Sequence, residues 1–531
     1  MKKFFLIFIL LFVSVTSFAQ IIEKQAIENP LDCAFYLLQK DNDRFFGDVE
    51  RLAHSYFELK QYPQIISTLN LLENKSYRFE NVVLLITQLL KDGRKVEAGN
   101  FIKFAFQNLD KKDYQNNRSL IEFADNLIAL SRFSEAIKIA ENFTTDKETE
   151  EISIAIALSL IKSNRIKETQ FLISQPFFPI NSKNNEVRAK IALIYAKLGQ
   201  KDKTIFLLNE LKINDFKGKN ETETENNRRF ILPILLEIYL HLNQPEQSFI
   251  LWNQYGDKEY FYEVSEFVKK LIDYKQIKTA KELIEQMLRN KEELRIRGSY
   301  VISSLLKLGE IEKAVSVAKD MSKENDNYSQ QESLMLIADN FIEQRNFQKA
   351  KEILDFALRK AKQVVFNHEP MQSNGASSGT RKRTYLRNIY NGFIKLREFE
   401  KAFQAINSIE SNHWIAKGFI AEKYIDFAKH RYKTLSKNQI YQLISQSQNI
   451  IKDEDEVYSI EIKMLSAEVF ALLGEKEKAV DLLSQVLEEA KESYADENKF
   501  LVYSGKIYEK YQLKPTPNLR RVLQNIISAK S

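Results

Sequence analysis

The chain has one cysteine, Cys33, in 531 residues, so no intramolecular disulfide is possible. The fold must hold by packing alone. Glycine (14) and proline (9) are scarce. Strand-and-turn folds and phosphate-cradling loops need many glycines for positive φ angles, and both are disfavoured here. Long helices joined by short turns need few, so the scarcity argues for an all-α protein. The five histidines (His54, His241, His368, His413 and His430) are scattered. None forms a His-Glu-x-x-His zinc helix, and no Gly-x-Ser-x-Gly nucleophile elbow occurs. No catalytic residues, metal site or cofactor are expected. A net charge of +6 spread over the whole chain is not the concentrated basic face that nucleic acid requires. Beyond the first residues there is no apolar run long enough to span a membrane.

The N-terminus carries the pattern of an export signal. Lys2 and Lys3 precede an apolar run from Phe4 to Val15, and Ser17-Phe18-Ala19 places small residues where a signal peptidase reads. Cleavage is expected between Ala19 and Gln20, over a signal of residues 1–19. The mature chain is expected to be periplasmic or secreted, with a net charge of +4. No cysteine stands at the cleavage point, so lipid attachment there is not expected. Cys33 reads as a small buried apolar residue.

One phrase recurs along the chain. It occurs as Lys307-Leu-Gly-Glu-Ile-Glu-Lys-Ala314 and as Leu472-Leu-Gly-Glu-Lys-Glu-Lys-Ala479. Related forms are Ile342-Glu-Gln-Arg-Asn-Phe-Gln-Lys-Ala350 and Ile394-Lys-Leu-Arg-Glu-Phe-Glu-Lys-Ala402. Each ends one amphipathic stretch and opens another. With the last residue as anchor, the series is Ile65, Ala98, Ala136, Thr169, Thr204, Ser248, Ala280, Ala314, Ala350, Ala402 and Ala479. Most spacings lie near 34 residues, with wider gaps of 44, 52 and 77. Polar residues 212–227 fill the first wide gap and a Ser/Gly-bearing stretch around 366–381 the second. The third predicts a degenerate hairpin, with helices near Trp414–Phe427 and Asn438–Ile450.

Other positions agree once the anchor is set. Twelve residues before it stand Ala53, Ala124, Ala157, Ala192, Ala338 and Ala467, small enough for two helices to approach. Nine before it stand Tyr56, Tyr195, Tyr239, Phe341, Phe393 and Phe470, and four after it the residue is always apolar. Three before it, residues such as Phe133, Ile277, Phe347 and Phe399 are expected to wedge under the turn. These offsets place apolar residues on facing helix stripes. Five before the anchor, where the first helix must end left-handed, come Gly93, Gly199, Gly309 and Gly474. Other repeats place Lys60, Ser131, Asn164, Asn243, Lys275, Arg345 or Arg397 there. Thr516-Pro517 reads as an N-cap and first helical residue.

From Phe46 to Val486 the chain resembles the tetratricopeptide repeat family, although it lacks most of that family's first-helix tryptophan, its paired Leu-Gly and its repeat-ending proline. The resemblance implies an all-α, right-handed α-solenoid of about twelve to thirteen hairpins. The expected plan is an N-terminal flanking or capping segment at 20–45 and repeats over 46–365. An inserted flexible loop follows at 366–383, then repeats over 384–490 and a C-terminal capping hairpin at 491–531.

The resemblance also implies a protein-interaction scaffold of the cell envelope or periplasm, binding partner peptides or helices in its concave groove. Some members clamp a partner's C-terminal carboxylate with a basic residue and an asparagine four apart on one first helix. Arg387 and Asn391 match that pair and are the candidate groove residues. The clamp is incomplete: Phe419 stands where an asparagine is wanted, and Glu461 and Leu465 where two basic residues are. A glycan- or peptide-capture protein beside an outer-membrane uptake system is the alternative, with Trp252 expected in the core and Trp414 left as a platform. A helical polysaccharide- or peptidoglycan-active enzyme ranks third.

Overall fold

The computed structural model describes residues 24–41, 46–109, 117–143, 150–211, 225, 227–257, 260–321, 328–363, 378–408, 414–452, 456–492 and 496–530. The signal region, including Ala19 and Gln20, lies outside them, as do residues 366–377 of the expected insertion. The rest of that insertion, from Ser378, belongs to a helix.

Among the described residues the protein is all α-helix, with twenty-seven α-helices and one π-turn. After α1 (Pro30–Lys40) the helices alternate as thirteen hairpins, the even-numbered helix first and the odd-numbered second. The first five are α2 (Phe46–Glu58) with α3 (Tyr62–Leu69), α4 (Lys75–Lys91) with α5 (Lys95–Asn108), α6 (Asn117–Ala129) with α7 (Phe133–Phe143), α8 (Glu150–Lys162) with α9 (Ile166–Ile173), and α10 (Asn185–Lys197) with α11 (Lys201–Glu210). The π-turn Asn227–Ile231 leads into α12 (Leu232–His241), which pairs with α13 (Pro245–Tyr255). Next come α14 (Phe261–Asp273) with α15 (Ile277–Arg289), α16 (Lys291–Leu308) with α17 (Ile311–Asp320), α18 (Tyr328–Glu343) with α19 (Phe347–Gln363), and α20 (Ser378–Lys395) with α21 (Phe399–Ile406). The last three are α22 (Trp414–Arg431) with α23 (Lys437–Ile451), α24 (Glu456–Leu472) with α25 (Lys476–Glu492), and α26 (Glu497–Lys510) with α27 (Pro517–Lys530). The widest anchor gap therefore holds the hairpin of α22 and α23.

The repeat turn explains the regularity. All eleven anchors, from Ile65 to Ala479, are completely buried. The four turn glycines have φ between 71° and 81°, and the seven non-glycine residues at the same position also have positive φ. The N–H of the following residue then donates to the carbonyl nine residues before the anchor, as from Arg94 to Leu89 (2.8 Å), Gln276 to Leu271 (2.8 Å) and Glu475 to Phe470 (2.9 Å). This is the Schellman bond, which satisfies a carbonyl that the helix end would otherwise orphan. Gln512 has the same geometry (φ 49°), with Leu513 bonded to Tyr508 (3.0 Å). Its repeat escapes the anchor series because Lys514-Pro515-Thr516 delay the second helix. Thr516 Oγ then accepts from the Leu519 N–H at 3.2 Å and starts α27. The turn between α22 and α23 dispenses with positive φ; Ser436 and Gln439 close it as a capping box.

One expectation needs correction. The residues three before the anchor do not sit buried under the turn. Ile277 and Phe347 are exposed, and Phe133 and Phe399 half-buried. The rings of Phe133 and Phe399 instead take cations from the next hairpin, with Arg165 4.4 Å from Phe133 and Arg431 5.4 Å from Phe399.

The chain divides into two compact units. One is contiguous, Val82–Leu396; the other combines residues up to Asn81 with Arg397–Ser531. In the two-ended unit α1 packs on α26 and α27, and α2 packs on α26. Leu31 lies so close to Gly505 that a β-carbon there would stand 2.5 Å from the Leu31 backbone nitrogen. Arg51 pairs with Asp496 (2.8 Å), Arg520 with Glu28 (2.8 Å) and Lys506 with Glu58, while Asn498 donates to Asp48 (2.9 Å). The flanking segment and the closing hairpin thus lie against each other, as neighbouring repeats do. Cys33 is fully buried here, and burial pushes its thiol up to about 12.

Candidate functional site

Successive first helices stand side by side within each unit, and their polar side chains join them. In the contiguous unit Glu237 of α12 receives Lys197 of α10 (2.6 Å) and Lys270 of α14. In the two-ended unit Glu468 of α24 receives Lys429 of α22 and Lys510 of α26, both at 2.7 Å, and the Tyr511 hydroxyl at 3.0 Å. Both glutamates lie eleven residues before their anchors. So does Asp339 of α18, bound by Lys395 of α20 at 2.6 Å. Burial alone would raise the Glu237 and Glu468 carboxyls, but the lysine hydrogen bonds and charges outweigh it. Glu237 is lowered, and Glu468 is held at about 2. His241, one turn from Glu237, is lowered by burial and by the charge of Lys197, 3.1 Å away.

Asn391 occupies this same repeat position on α20, with Arg387 one turn before it, and both are exposed. Phe419, on α22, is half-buried. Glu461 is engaged by Lys499 at 2.5 Å. The side chain of Trp414 lies outside the described residues.

Among the described residues of the contiguous unit, the entry to α12 departs from the repeat. The π-turn before α12 interrupts its hairpin, and such turns recur at functional sites. Beside it a cavity of about 500 Å³ opens between α12, α13 and α14. Leu232, Pro233 and Leu236 form one wall, and Trp252, Phe267, Tyr260 and Tyr262 the aromatic side. Trp252 is 2% exposed, packs 5.0 Å from Phe267, and finds no acceptor for its indole N–H among the described residues. Tyr260 and Tyr262 are 38% and 46% exposed, and Tyr262 meets Tyr300 edge-on at 5.6 Å. The Arg297 guanidinium lies 4.9 Å over Tyr260, at the point where non-helical backbone (φ −132°) kinks α16. Glu225, Asp257, Glu263 and Glu266 join the lining, against Arg229 and Lys270.

The placement of Trp252 in the core agrees with its repeat position. Tyr260 and Tyr262 were not legible as site residues, because they precede and open α14, outside the positions the repeat constrains. Their one signal was the wide 44-residue gap just upstream.

A second cavity, of about 740 Å³, lies in the two-ended unit among α23, α24 and α25. Its polar lining joins amides and hydroxyls, Gln448, Asn449, Gln485, Ser445, Ser459 and Tyr441, with the charges of Lys452, Lys463, Lys478 and Asp481. Lys478 sits over both Tyr441 (4.3 Å) and Phe470 (4.1 Å).

Thirteen hairpins, twelve of them sharing one turn, define an all-α helical-repeat protein of tetratricopeptide-like build. The chain matches no protein-family model and no curated protein. Among solved structures it is similar to one described as Naa15/Naa10 bound to HypK-THB, at 13% identity and a TM-score of 0.28. That match covers 78% of this chain but 64% of the other, so the chain spans less than two thirds of its relative's length. The fold assignment rests on the hairpins themselves.

Proposed function

We propose that the protein is an exported, non-enzymatic scaffold that binds partner proteins of the cell envelope along its first helices. The observation that carries this reading is the side-by-side array of first helices, with equivalent polar positions adjacent from hairpin to hairpin. An array with a fixed register offers repeated contacts to an extended polypeptide or a helix. Export is supported by the Lys2-Lys3 and Phe4–Val15 pattern. Capture of the tagged mature chain, residues 20–531, from crosslinked envelope fractions tests both parts. A reproducible partner that is lost with Arg387→Glu and Asn391→Ala supports the scaffold and its groove. A chain that stays in the cytosol with residues 1–19 intact overturns export.

One observation favours a second reading, glycan capture. The amide- and hydroxyl-lined cavity around Gln448, Asn449 and Gln485 carries the neutral donors and acceptors that sugars need. Retention on immobilised cell-wall polysaccharide, abolished by Gln448→Ala and Gln485→Ala, separates it from the first.

A further inference from the structure

We propose that the row Phe230, Tyr262 and Tyr300, which crosses the first helices α12, α14 and α16, receives the apolar stripe of an amphipathic α-helix from a partner protein. This deepens the scaffold reading and rests on it. The row departs from the repeat eighteen residues before the anchor, a position that stays at the surface. Five hairpins place glutamate there: Glu80, Glu151, Glu186, Glu332 and Glu461. Three consecutive hairpins place Phe230, Tyr262 and Ile296 instead, and Phe230 and Ile296 are 47% and 50% exposed. Packing does not ask for the change, because these side chains remain in solvent. Breaks of a local rule without a structural gain gather at functional sites.

The rings form one surface. Helices α12, α14 and α16 pack side by side, and Tyr262 meets Tyr260 at 6.1 Å and Tyr300 at 5.6 Å. Glu237 and Lys270 pair across α12 and α14 at a separation of 33 residues, a register that sets Phe230 beside the start of α14, where Tyr262 lies. Glu186 and Glu332, in the hairpins before and after, bound the row. Further along the same side of α14 and α16 stand Lys269, Asp273 and Lys307, so the apolar seat is one stripe wide.

Size and spacing select the occupant. At roughly 200 Å² for a whole side chain, the exposed parts of Phe230, Tyr260, Tyr262 and Ile296 make an apolar patch of about 350 Å². Patches of that size mark interaction sites. It is under half of the roughly 800 Å² that a stable dimer buries on each partner, so it suits a single helix and not a second copy of this chain. Neighbouring first helices stand about 8–10 Å apart, which offers one large apolar side chain per step. Seven residues of α-helix rise about 10.5 Å and return the same face at each step. Alternate residues of an extended strand return about every 6.7 Å and fall out of step at once. The occupant is therefore a helix of about fifteen residues, with large apolar side chains at i, i+7 and i+14 and polar flanks.

The test uses the full mature chain and a fluorescein-labelled, helix-favouring peptide with leucine at i, i+4, i+7, i+11 and i+14 among Ala, Glu, Lys and Gln. A second peptide of the same composition places its leucines at alternate positions, as a strand would. Titrated by fluorescence anisotropy, the heptad peptide should bind saturably and at least tenfold more tightly than the alternating one. Phe230→Glu and, separately, Tyr262→Glu install the residue that other hairpins already carry there. Each should weaken binding about tenfold, with circular dichroism and thermal midpoint preserved. Phe206→Glu removes a ring of α11 that is 62% exposed, away from the row, and should change nothing. Equal binding of both peptides overturns the proposal, as does an equal loss with Phe206→Glu. If an envelope partner is captured but its binding ignores Phe230→Glu and Tyr262→Glu, the row proposal fails while the scaffold reading stands. If neither a partner nor the heptad peptide binds, both fail.

Discussion

The two units place the same residue at the same repeat position and use it differently. Glu468 and Glu237 each lie eleven residues before an anchor, and each bridges lysines from the preceding and following first helices. The side chain of Glu468 is 10% exposed and has a tyrosine hydroxyl as third donor. Glu237 is 18% exposed, and its partner Lys270 also lines a cavity. One carboxylate is sealed into the packing; the other stands at the edge of a site. Connectivity differs as well. The contiguous unit is built from one stretch of chain, whereas the other joins hairpins from both ends of the sequence. A single repeat grammar thus makes both a sealed clasp and a clasp whose lysine lines a cavity, and the surrounding side chains decide which.

The largest expected effect comes from separating the chain ends. Gly505→Ala drives a β-carbon into the backbone of Leu31 and should cost about 3 kcal/mol in the two-ended unit. Gly298→Ala, in the contiguous unit, meets side chains alone, the end of Met321 and at 3.3 Å the Ser329 hydroxyl, and should cost about 1 kcal/mol. Cys33 reports the difference directly. Its thiol should resist labelling in the native protein and in Gly298→Ala, and react readily in Gly505→Ala. Unchanged labelling in Gly505→Ala would mean that α1 is not held by α26.

The glutamate comparison is sharpened by pH. Glu468 is depressed from 4.5 to about 2, so its stabilisation is complete above about 4.5 and disappears as pH falls towards 2. That corresponds to about 3 kcal/mol at neutral pH. Glu468→Gln should remove most of it and flatten the acid limb of a denaturation profile. Glu237→Gln, with a more exposed carboxyl, should cost roughly half as much. Equal losses would erase the distinction between the two clasps.

Smaller effects come from the turns, where the two units obey one rule. Nothing lies within 4 Å of a β-carbon built on Gly309 or Gly474, so alanine there meets only the positive φ and should cost about 1 kcal/mol. Lys275→Gly should shift the thermal midpoint upwards, by the equivalent of less than about 1 kcal/mol. Smallest of all, Tyr262→Ala should leave stability within about 0.5 kcal/mol, since its ring is half open to solvent. A large loss would show that Tyr262 is part of the packing and not of a free pocket wall.

The sequence by itself determined the hairpins. Anchors, facing stripes and left-handed turn residues are local features. Each repeat obeys them within about 34 residues, so they can be read without knowing what packs where. This is why the turn at Lys60 was as legible as the one at Gly93, and why Trp252 could be assigned to the core. The half-buried rings of Phe133 and Phe399 were misread because their partners are cations of the next hairpin, Arg165 and Arg431, which no single repeat encodes. Tertiary structure alone decided three further things. It set α1 against α26 across more than 450 residues, made Glu468 a clasp between first helices, and gathered Tyr260, Tyr262 and Trp252 around one cavity. Each depends on side chains that meet only after the hairpins stack. Helical periodicity specifies which face a residue occupies, but not which distant residue will face it.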